Sequence, residues 1–502
     1  MPQALYTVSE IREIERESLA SLPPGTLMQR AGKATARAAL GLLHASPADA
    51  RVLVLAGPGN NGGDALEAAA SLAENGVDVT VLLCADSGRL PADACRALQR
   101  ARSGNVRFAD ASTESVQSGA WTLAIDGLFG IGLARPVSGL HRTLADAINA
   151  LCCPVLAIDV PSGLDADTGG IVGDDGIAVR ATHTITFIAD KPGLHTLDGR
   201  DHAGEVTVCD LDIDARHFRP ARMHLNDPAL FAACLKKRPH NSHKGSYGDV
   251  IVVGGAQGMA GAPLLAAQAA AKCGAGRVYA AFIGDAPTHD SMHPELMCRS
   301  AADFDLSAAT LVAGPGMGTG RLAGDMLARL LAAPAPLVLD ADALNLIAAE
   351  PGLQHPLRTR GGGTVMTPHP LEAARLLQSS TKEVQSDRLA AAARIAQRFG
   401  AVVVLKGSGS VVARPDGTAV INPTGNPALA TAGTGDVLAG ICGALLAQSF
   451  PTWEAAIAAV WLHGKAADVL VEQGIGPIGL TAGELIPCVR TILNSVTKQY
   501  AR

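Results

Sequence analysis

Short apolar runs that end in glycine or aspartate recur along the chain, each followed by a polar turn and an alanine-rich stretch. In the first half the runs are RVLVLAG (Arg51–Gly57), VDVTVLL, WTLAIDG ending at Asp126 and Gly127, and CPVLAIDVPSG. ALEAAASLAENG, between the first two, has helical composition. Apolar strands alternating with helices predict βαβ units and a largely parallel sheet covered on both faces. Right-handed crossovers then place every strand's C-terminal end on one edge, where ligands bind in such sheets. The loops GPGNNGGD, DGLFGIGLARP and DVPSGLD fall there.

The pattern lapses over 212–245, which is polar and punctuated by proline and glycine. It restarts at GDVIVVGGAQGMAGAPLLAAQAAAKCGAGRVYAAF, again strand, glycine-rich turn, helix, strand. We therefore expect one α/β domain over 1–215, a linker over 216–226 and a second α/β domain over 227–502. The two halves share no alignable repeat.

Composition narrows the function. Over 502 residues there are 55 glycines, 3% aromatics and a net charge of -6. Few aromatics and no basic excess argue against a nucleic-acid partner. The N-terminus carries Glu10, Glu13, Glu15 and Glu17 and has no apolar signal core, and the apolar stretch 438–447 is too short for a bilayer. No membrane partner is expected, and a cytoplasmic location is. None of the ten cysteines forms a CxxC pair, so buried reduced thiols are expected.

In the second half, Gly433–Asp436 reads GTGD. A glycine-rich turn opening a helix presents free N–H groups and the positive end of the helix dipole to phosphate. An aspartate in that turn is placed to act as base on a nearby hydroxyl; the plainer alternative is a helix cap by Thr434 or Asp436. KGSGS (Lys406–Ser410), TPHP with His369 and GPGMG with Gly316 stand at strand ends, and GMAGAP puts Ala262 at the start of a helix. Together they point to a nucleotide site. Asp340 and Asn345 in LDADALN either organise metal or water, or cap the next helix.

The run NPTGNPALATAGTGDVLAG, with GGAQGMAGAPLLAAQAAAKCGAGRV, GPGMG, VLDADALN, TPHPLE and KGSGS in the same order, closely resembles the ADP/ATP-dependent NAD(P)H-hydrate dehydratases over Pro239–Leu493. The resemblance implies a ribokinase-like fold and magnesium. Lys406, Gly407, Ser408, Gly409, Ser410 and Gly435 would hold the adenine nucleotide, with ADP as co-substrate. Ala262, Gly316, His369 and Asp436 would contact the hydrated nicotinamide nucleotide, and Asp436 would be the base. The C6 hydroxyl is phosphorylated and phosphate then leaves. Ala428 and Ala432 stand where the family usually has glycine.

In the first half GPGNNGGD has its glycines misplaced for a dinucleotide fingerprint. The oxygens of Asn61, Asp126 and Ser162 suit a hard cation; Asp126 and Asp159 are also ordinary loop-capping types. GPGNNGGD, DGLFGIGLARP and DVPSGLDADTG resemble the NAD(P)H-hydrate epimerases over Ser9–Asp214. That implies a Rossmann-like domain. Asn60, Asn61, Gly62, Gly63 and Asp64 would bind the hydrate, as would Gly130, Ile131, Gly132, Leu133, Ala134, Arg135 and Pro136. Asp159 would contact the nicotinamide end, and Asn61, Asp126 and Ser162 would hold potassium. Asp159 is the candidate for acid–base work, with Lys191 either its partner or a solvated surface charge. Ala65 and Arg30 depart from the family's GGDG and MENAG.

The two signatures in this order resemble the bifunctional NAD(P)H-hydrate repair enzymes, which act on NADHX and NADPHX and are expected to be homo-oligomeric. The weighed alternatives are a ribokinase-like vitamin-precursor kinase, a non-catalytic nucleotide sensor and a conventional dehydrogenase.

Overall fold

A computed structural model describes residues 2–43 and 46–501. It divides into two compact units, one spanning Ala4–Ala221 and the other comprising Met1–Gln3 and Arg222–Arg502. The stretch 216–226, expected as a linker, holds the change of unit but also a strand, Met223–Leu225, that pairs with Ala419–Ile421. Its apolar residues Met223 and Leu225 gain more from sheet pairing than a solvated connector would give them.

The first unit carries a seven-stranded sheet: β1 (Arg51–Ala56), β2 (Asp78–Leu83), β3 (Arg107–Ala109), β4 (Leu123–Gly127), β5 (Val155–Ile158), β6 (His183–Phe187) and β7 (Glu205–Cys209), in the order β3-β2-β1-β4-β5-β6-β7. Every pairing is parallel. Successive side chains of β1 enter different cores: Val52, Val54 and Ala56 join one cluster, Leu53 and Leu55 the other. This is why the run is apolar throughout rather than alternating. The helix Asn60–Glu74 follows β1 and covers one face.

In the second unit the strands are β8 (Met223–Leu225), β9 (Asp249–Gly254), β10 (Arg277–Phe282), β11 (Met297–Ser300), β12 (Thr310–Ala313), β13 (Leu337–Leu339), β14 (Thr364–Met366), β15 (Val402–Leu405), β16 (Val411–Ala413) and β17 (Ala419–Ile421). They lie in the order β8-β17-β16-β15-β14-β13-β12-β9-β10-β11. From β15 through β11 the pairings are parallel, so Lys406, Thr367, Asp340 and Gly314, each just past a strand end, share one edge. Val250 and Val252 pack on one side of this sheet, Ile251 and Val253 on the other. Both units are three-layer α/β/α, as expected.

All ten cysteines are free thiols. Cys84, Cys273 and Cys442 are buried as expected, whereas Cys152 is exposed and the rest are half-buried. Among the described residues no helix is long and apolar enough to cross a membrane.

The helix Thr434–Ala447, which carries GTGD at its start, is anchored by close approach to helix Gly261–Lys272. A Cβ on Gly440 would overlap the Ala266 carbonyl. Helix propensity alone favours alanine over glycine by about 1 kcal/mol. Overpacking against backbone costs about 1–3 kcal/mol and outweighs it. Gly440→Ala should therefore lower the thermal midpoint, as calorimetry would record; an unchanged or raised midpoint would contradict the tight helix contact.

Candidate active sites

The second unit's site is built on an ion pair between a half-buried lysine and a buried aspartate. Lys406, after β15, places Nζ 2.7 Å from Asp340 Oδ1, after β13. The same oxygen accepts from Thr367 Oγ1 at 2.8 Å, after β14. Asp340 sits at the N-cap position of helix Ala341–Ala349 but its side chain makes no cap bond, so the capping alternative does not apply. Asn345 is turned elsewhere: its Oδ1 accepts from Arg375 Nη1 at 2.6 Å.

Gly435 closes onto this pair. A Cβ there would lie 3.2 Å from Lys406 Nζ and 3.6 Å from Asp340 Oδ2. The GTGD turn opens its helix through Gly433 at φ 88°, with no side-chain cap. Thr434 Oγ1 instead donates to the carbonyls of Leu429 and Thr431, both at 2.9 Å. Asp436, in the first turn, is thus left with a carboxylate that caps nothing.

The electrostatics follow from too many carboxylates around one lysine. Burial, then the Asp340 charge, raise the Asp436 carboxyl to about 7 against the pull of Lys406. Burial also raises Glu372 to about 7, again opposed by Lys406. Burial disfavours the Lys406 ammonium, but Asp340, Glu372 and Asp436 outweigh it and hold its pKa above the ordinary lysine value. Each carboxyl near 7 is poised to exchange a proton at neutral pH.

His369 caps helix Pro370–Leu377 by accepting from the Leu371 and Glu372 amides at 3.1 and 3.3 Å through Nδ1. That use of Nδ1 puts the neutral ring's proton on Nε2, which lies 3.2 Å from Glu372 Oε1. Burial and Lys406 lower its pKa, so the neutral form prevails. Gly316, at φ 55°, lies against helix Gly261–Lys272: a Cβ on it would be 3.2 Å from Ala262 Cβ. Neighbouring Gly318 donates its amide to Asp342 Oδ2 at 2.8 Å.

Of the KGSGS loop, Gly407 N donates to Ser410 Oγ at 3.2 Å, and Ser410 Oγ donates to the Gly407 carbonyl at 3.1 Å, closing a tight turn. Ser408 and Gly409 lie between them.

In the first unit the corresponding pair is Lys191 Nζ to Asp159 Oδ1, 2.8 Å. Lys191 is 0% exposed, which overturns the solvated-charge alternative. Its Nζ also donates to Thr186 Oγ1 at 2.6 Å and to the carbonyls of Phe187 and Ala189 at 3.0 and 3.2 Å. Asp159 follows β5 at φ 67°, a strained conformation for a non-glycine residue that functional sites favour. Its Oδ2 accepts from the Ile131 amide at 3.4 Å.

A Cβ on Gly130 would sit 3.1 Å from both Asn61 Oδ1 and Asp159 Oδ2, so these three converge on one spot. Asp64 stands one turn further along helix Asn60–Glu74. Burial, then Asp159, Glu15 and Glu67, push its carboxyl well above the ordinary range. Gly132, Ala134, Arg135 and Pro136 are exposed along the loop after β4, with Leu133 half-buried. Asn60 starts the helix, while Gly62 and Gly63 are buried in its first turn.

Asp126 is fully buried at the end of β4. It accepts from Ser162 Oγ at 2.6 Å, from the Ser162 amide at 2.8 Å and from the Leu128 amide at 3.2 Å. It makes no ion pair among the described residues, and burial raises its pKa. A desolvated carboxylate beside the Ser162 hydroxyl offers oxygens of the kind a hard cation takes, while the Asn61 side-chain oxygen lies toward Gly130 and Asp159. The buried Asn61 Nδ2 has no hydrogen-bond partner.

Glu372, Asp342 and Thr367 were not singled out from the sequence, though TPHPLE contains the HxxE spacing of a capping box. Glu15 was also missed as a site neighbour. Burial and Asp159 raise its pKa, and no local pattern tied the N-terminal helix Val8–Leu19 to a strand end over 140 residues away.

The comparisons with known proteins fall on the same two units. A family model described as NAD(P)H-hydrate dehydratase matches residues 250–487, and one described as YjeF-related protein N-terminus matches residues 24–193. The chain is 39% identical to the bifunctional NAD(P)H-hydrate repair enzyme of Coxiella burnetii over 503 residues, covering 98% of this chain and 99% of that one. It is 37% identical to the Escherichia coli enzyme of the same description, covering 98% and 95%. Among solved structures, the ADP/ATP-dependent NAD(P)H-hydrate dehydratase of Bacillus subtilis, co-crystallised with ATP and magnesium, matches at 30% identity with a TM-score of 0.47, over 55% of this chain and 98% of that one. With both units matched and nearly its whole length shared with these relatives, the chain belongs to the family of bifunctional NAD(P)H-hydrate repair enzymes.

Proposed function

We propose that the second unit dehydrates the S epimer of NADHX and NADPHX with ADP as phosphoryl donor, releasing AMP and phosphate. The observation that carries this reading is Asp436: an uncapped carboxyl with a pKa near 7 in the first turn of the GTGD helix, against the Lys406–Asp340 pair. Its carboxylate takes the proton of the C6 hydroxyl as that oxygen attacks the terminal phosphorus. The phosphorus–oxygen bond to AMP breaks, the phosphate at C6 then departs with the electrons of its C–O bond as the ring nitrogen lone pair moves in, and loss of a proton from C5 restores the dihydropyridine. Backbone of the GTGD turn and the KGSGS loop would face phosphate oxygens. Ala262, Gly316 and His369 line the hydrate.

Magnesium, when bound, neutralises phosphate charge, and the surplus carboxylates Asp436, Glu372 and Asp342 fit a site that gains a cation with its nucleotide.

In the first unit the proposed reaction is R/S interconversion at C6. That carbon bears both a nitrogen and a hydroxyl, so its stereochemistry is lost by departure and return of water. One group must protonate the leaving hydroxyl and one must deprotonate the incoming water. Asp159, held by Lys191, supplies the carboxylate that faces the hydrate. Asn60–Asp64 and Gly130–Pro136 hold the hydrate around it. Asn61, Asp126 and Ser162 would hold potassium, which would balance the buried Asp126 charge.

Recovery of reduced-nicotinamide absorbance from an R/S hydrate mixture with magnesium and ADP tests the first reading. Full recovery is expected, with Asp436→Ala abolishing it; no recovery with ADP or ATP would move the assignment to the small-molecule kinase. Because the Asp436 pKa is raised, the carboxyl is protonated below about 7 and ionised above it. For the free enzyme, kcat/KM should therefore rise with pH through about 7 and level off. A flat profile from pH 5 to 9 would remove Asp436 as base.

Asp159→Ala should leave a fast phase for the S epimer alone, with R recovered only at the spontaneous rate. Replacing potassium by a large organic cation should slow that R phase and spare the S phase. Equal effects on both phases would separate Asp126 and Ser162 from epimerisation.

A further inference from the structure

The charge balance beneath the KGSGS loop is unusual. Lys406, at its start, is neutralised by Asp340 at 2.7 Å. A second cation lies under the next residue. Arg388, at the start of helix Arg388–Phe399, is 1% exposed, and a Cβ on Gly407 would meet its Nη1 at 2.6 Å and its Nη2 at 2.7 Å. Nη1 donates to the neutral amide oxygen of Gln385 at 2.8 Å, and Nη2 to the Leu405 carbonyl at 3.2 Å. Nε has no partner. No carboxylate lies within ion-pair distance of this guanidinium among the described residues. Burial alone lowers its pKa to about 10, so it stays charged at neutral pH.

A buried, unpaired guanidinium costs stability, and replacing it by an apolar side chain is often neutral or favourable. Here the cation is packed against the backbone of the loop assigned to the nucleotide. An anion placed over Gly407 would be its missing counter-charge, acting across one layer of backbone in a low-dielectric setting.

We propose that Arg388 is a positioning residue for the nucleotide's phosphate groups: it supplies the uncompensated positive charge under Gly407 and holds that loop in place through Leu405. This rests on the assignment of the KGSGS loop to the nucleotide. Arg388 touches no ligand itself. It makes the loop select for charged phosphate, whereas Lys406 is committed to the carboxylates. Gly407, at φ 149°, leaves no side chain between guanidinium and loop surface.

Calorimetric titration of adenosine, AMP and ADP in magnesium buffer, on the wild type, Arg388→Met and Arg388→Lys, tests this. Wild type should bind ADP more tightly than adenosine. Arg388→Met should keep or raise the thermal midpoint, weaken ADP by about tenfold or more and leave adenosine within about twofold. In turnover the loss should fall on KM for ADP rather than on kcat. Arg388→Lys should retain most of the ADP preference.

Equal weakening of adenosine and ADP in Arg388→Met would mean a merely structural role and overturn the proposal. If Arg388→Met fails to fold, Arg388→Lys decides. Charge kept with the ADP preference intact supports it, and loss of that preference despite native circular dichroism overturns it. Wild-type protein that binds neither nucleotide would refute the nucleotide assignment itself, and the Arg388 inference with it.

Discussion

A lysine–aspartate pair at the C-terminal edge of a parallel sheet, wholly or largely withdrawn from water, organises each unit: half-buried Lys406 with buried Asp340 at 2.7 Å, and buried Lys191 with Asp159 at 2.8 Å. Taking two charges out of water is costly, and such a pair survives only when its remaining donors and acceptors are satisfied. Thr367 meets that requirement in one site, and Thr186 with two carbonyls meets it in the other. Around each pair sit further carboxyls that the single lysine cannot neutralise. Burial is the larger cause of their raised pKa values, and the surplus of neighbouring carboxylates adds to it. Asp436 and Glu372 near 7 beside Lys406, and Asp64 and Glu15 raised beside Asp159, are the same physics in two folds.

The two sites use their pairs differently. In the second unit Lys406 occupies Asp340, and Asp436 stands apart in a helix turn with a proton to give or take. In the first, Asp159 is itself the paired carboxylate and the neighbouring Asp64 is the one driven toward protonation.

The departures from family patterns are accommodated locally. Ala428 and Ala432 have no positive φ among the described residues, so alanine carries no strain there. The positive values fall on Gly425 and Gly433 instead. Ala65 is fully buried, its methyl packed toward Gly127. Arg30 donates to the Leu211 and Asp212 carbonyls at 2.6 and 3.0 Å, bracing two residues that both have positive φ. It therefore acts on the backbone after β7, not on the hydrate loops.

What the chain's order of residues determined by itself is the architecture and the loops that carry chemistry. Continuous apolar strands with glycine-rich exits are a local, period-dependent signal, and parallel topology then sends all those exits to one edge. KGSGS, GPGNNGGD and DVPSGLD were legible because each motif sits at or next to a strand end, and GTGD because a glycine-rich turn opens its helix. Tertiary structure decided which of the many charges are paired and which are stranded. Lys191 read equally as surface or site until burial chose. Asn345 left the site for Arg375. Glu15, Glu372 and Arg388 gained their roles from partners far away or from the lack of any. Ionisation depends on burial and on distances between residues remote in sequence, and only the folded chain sets either.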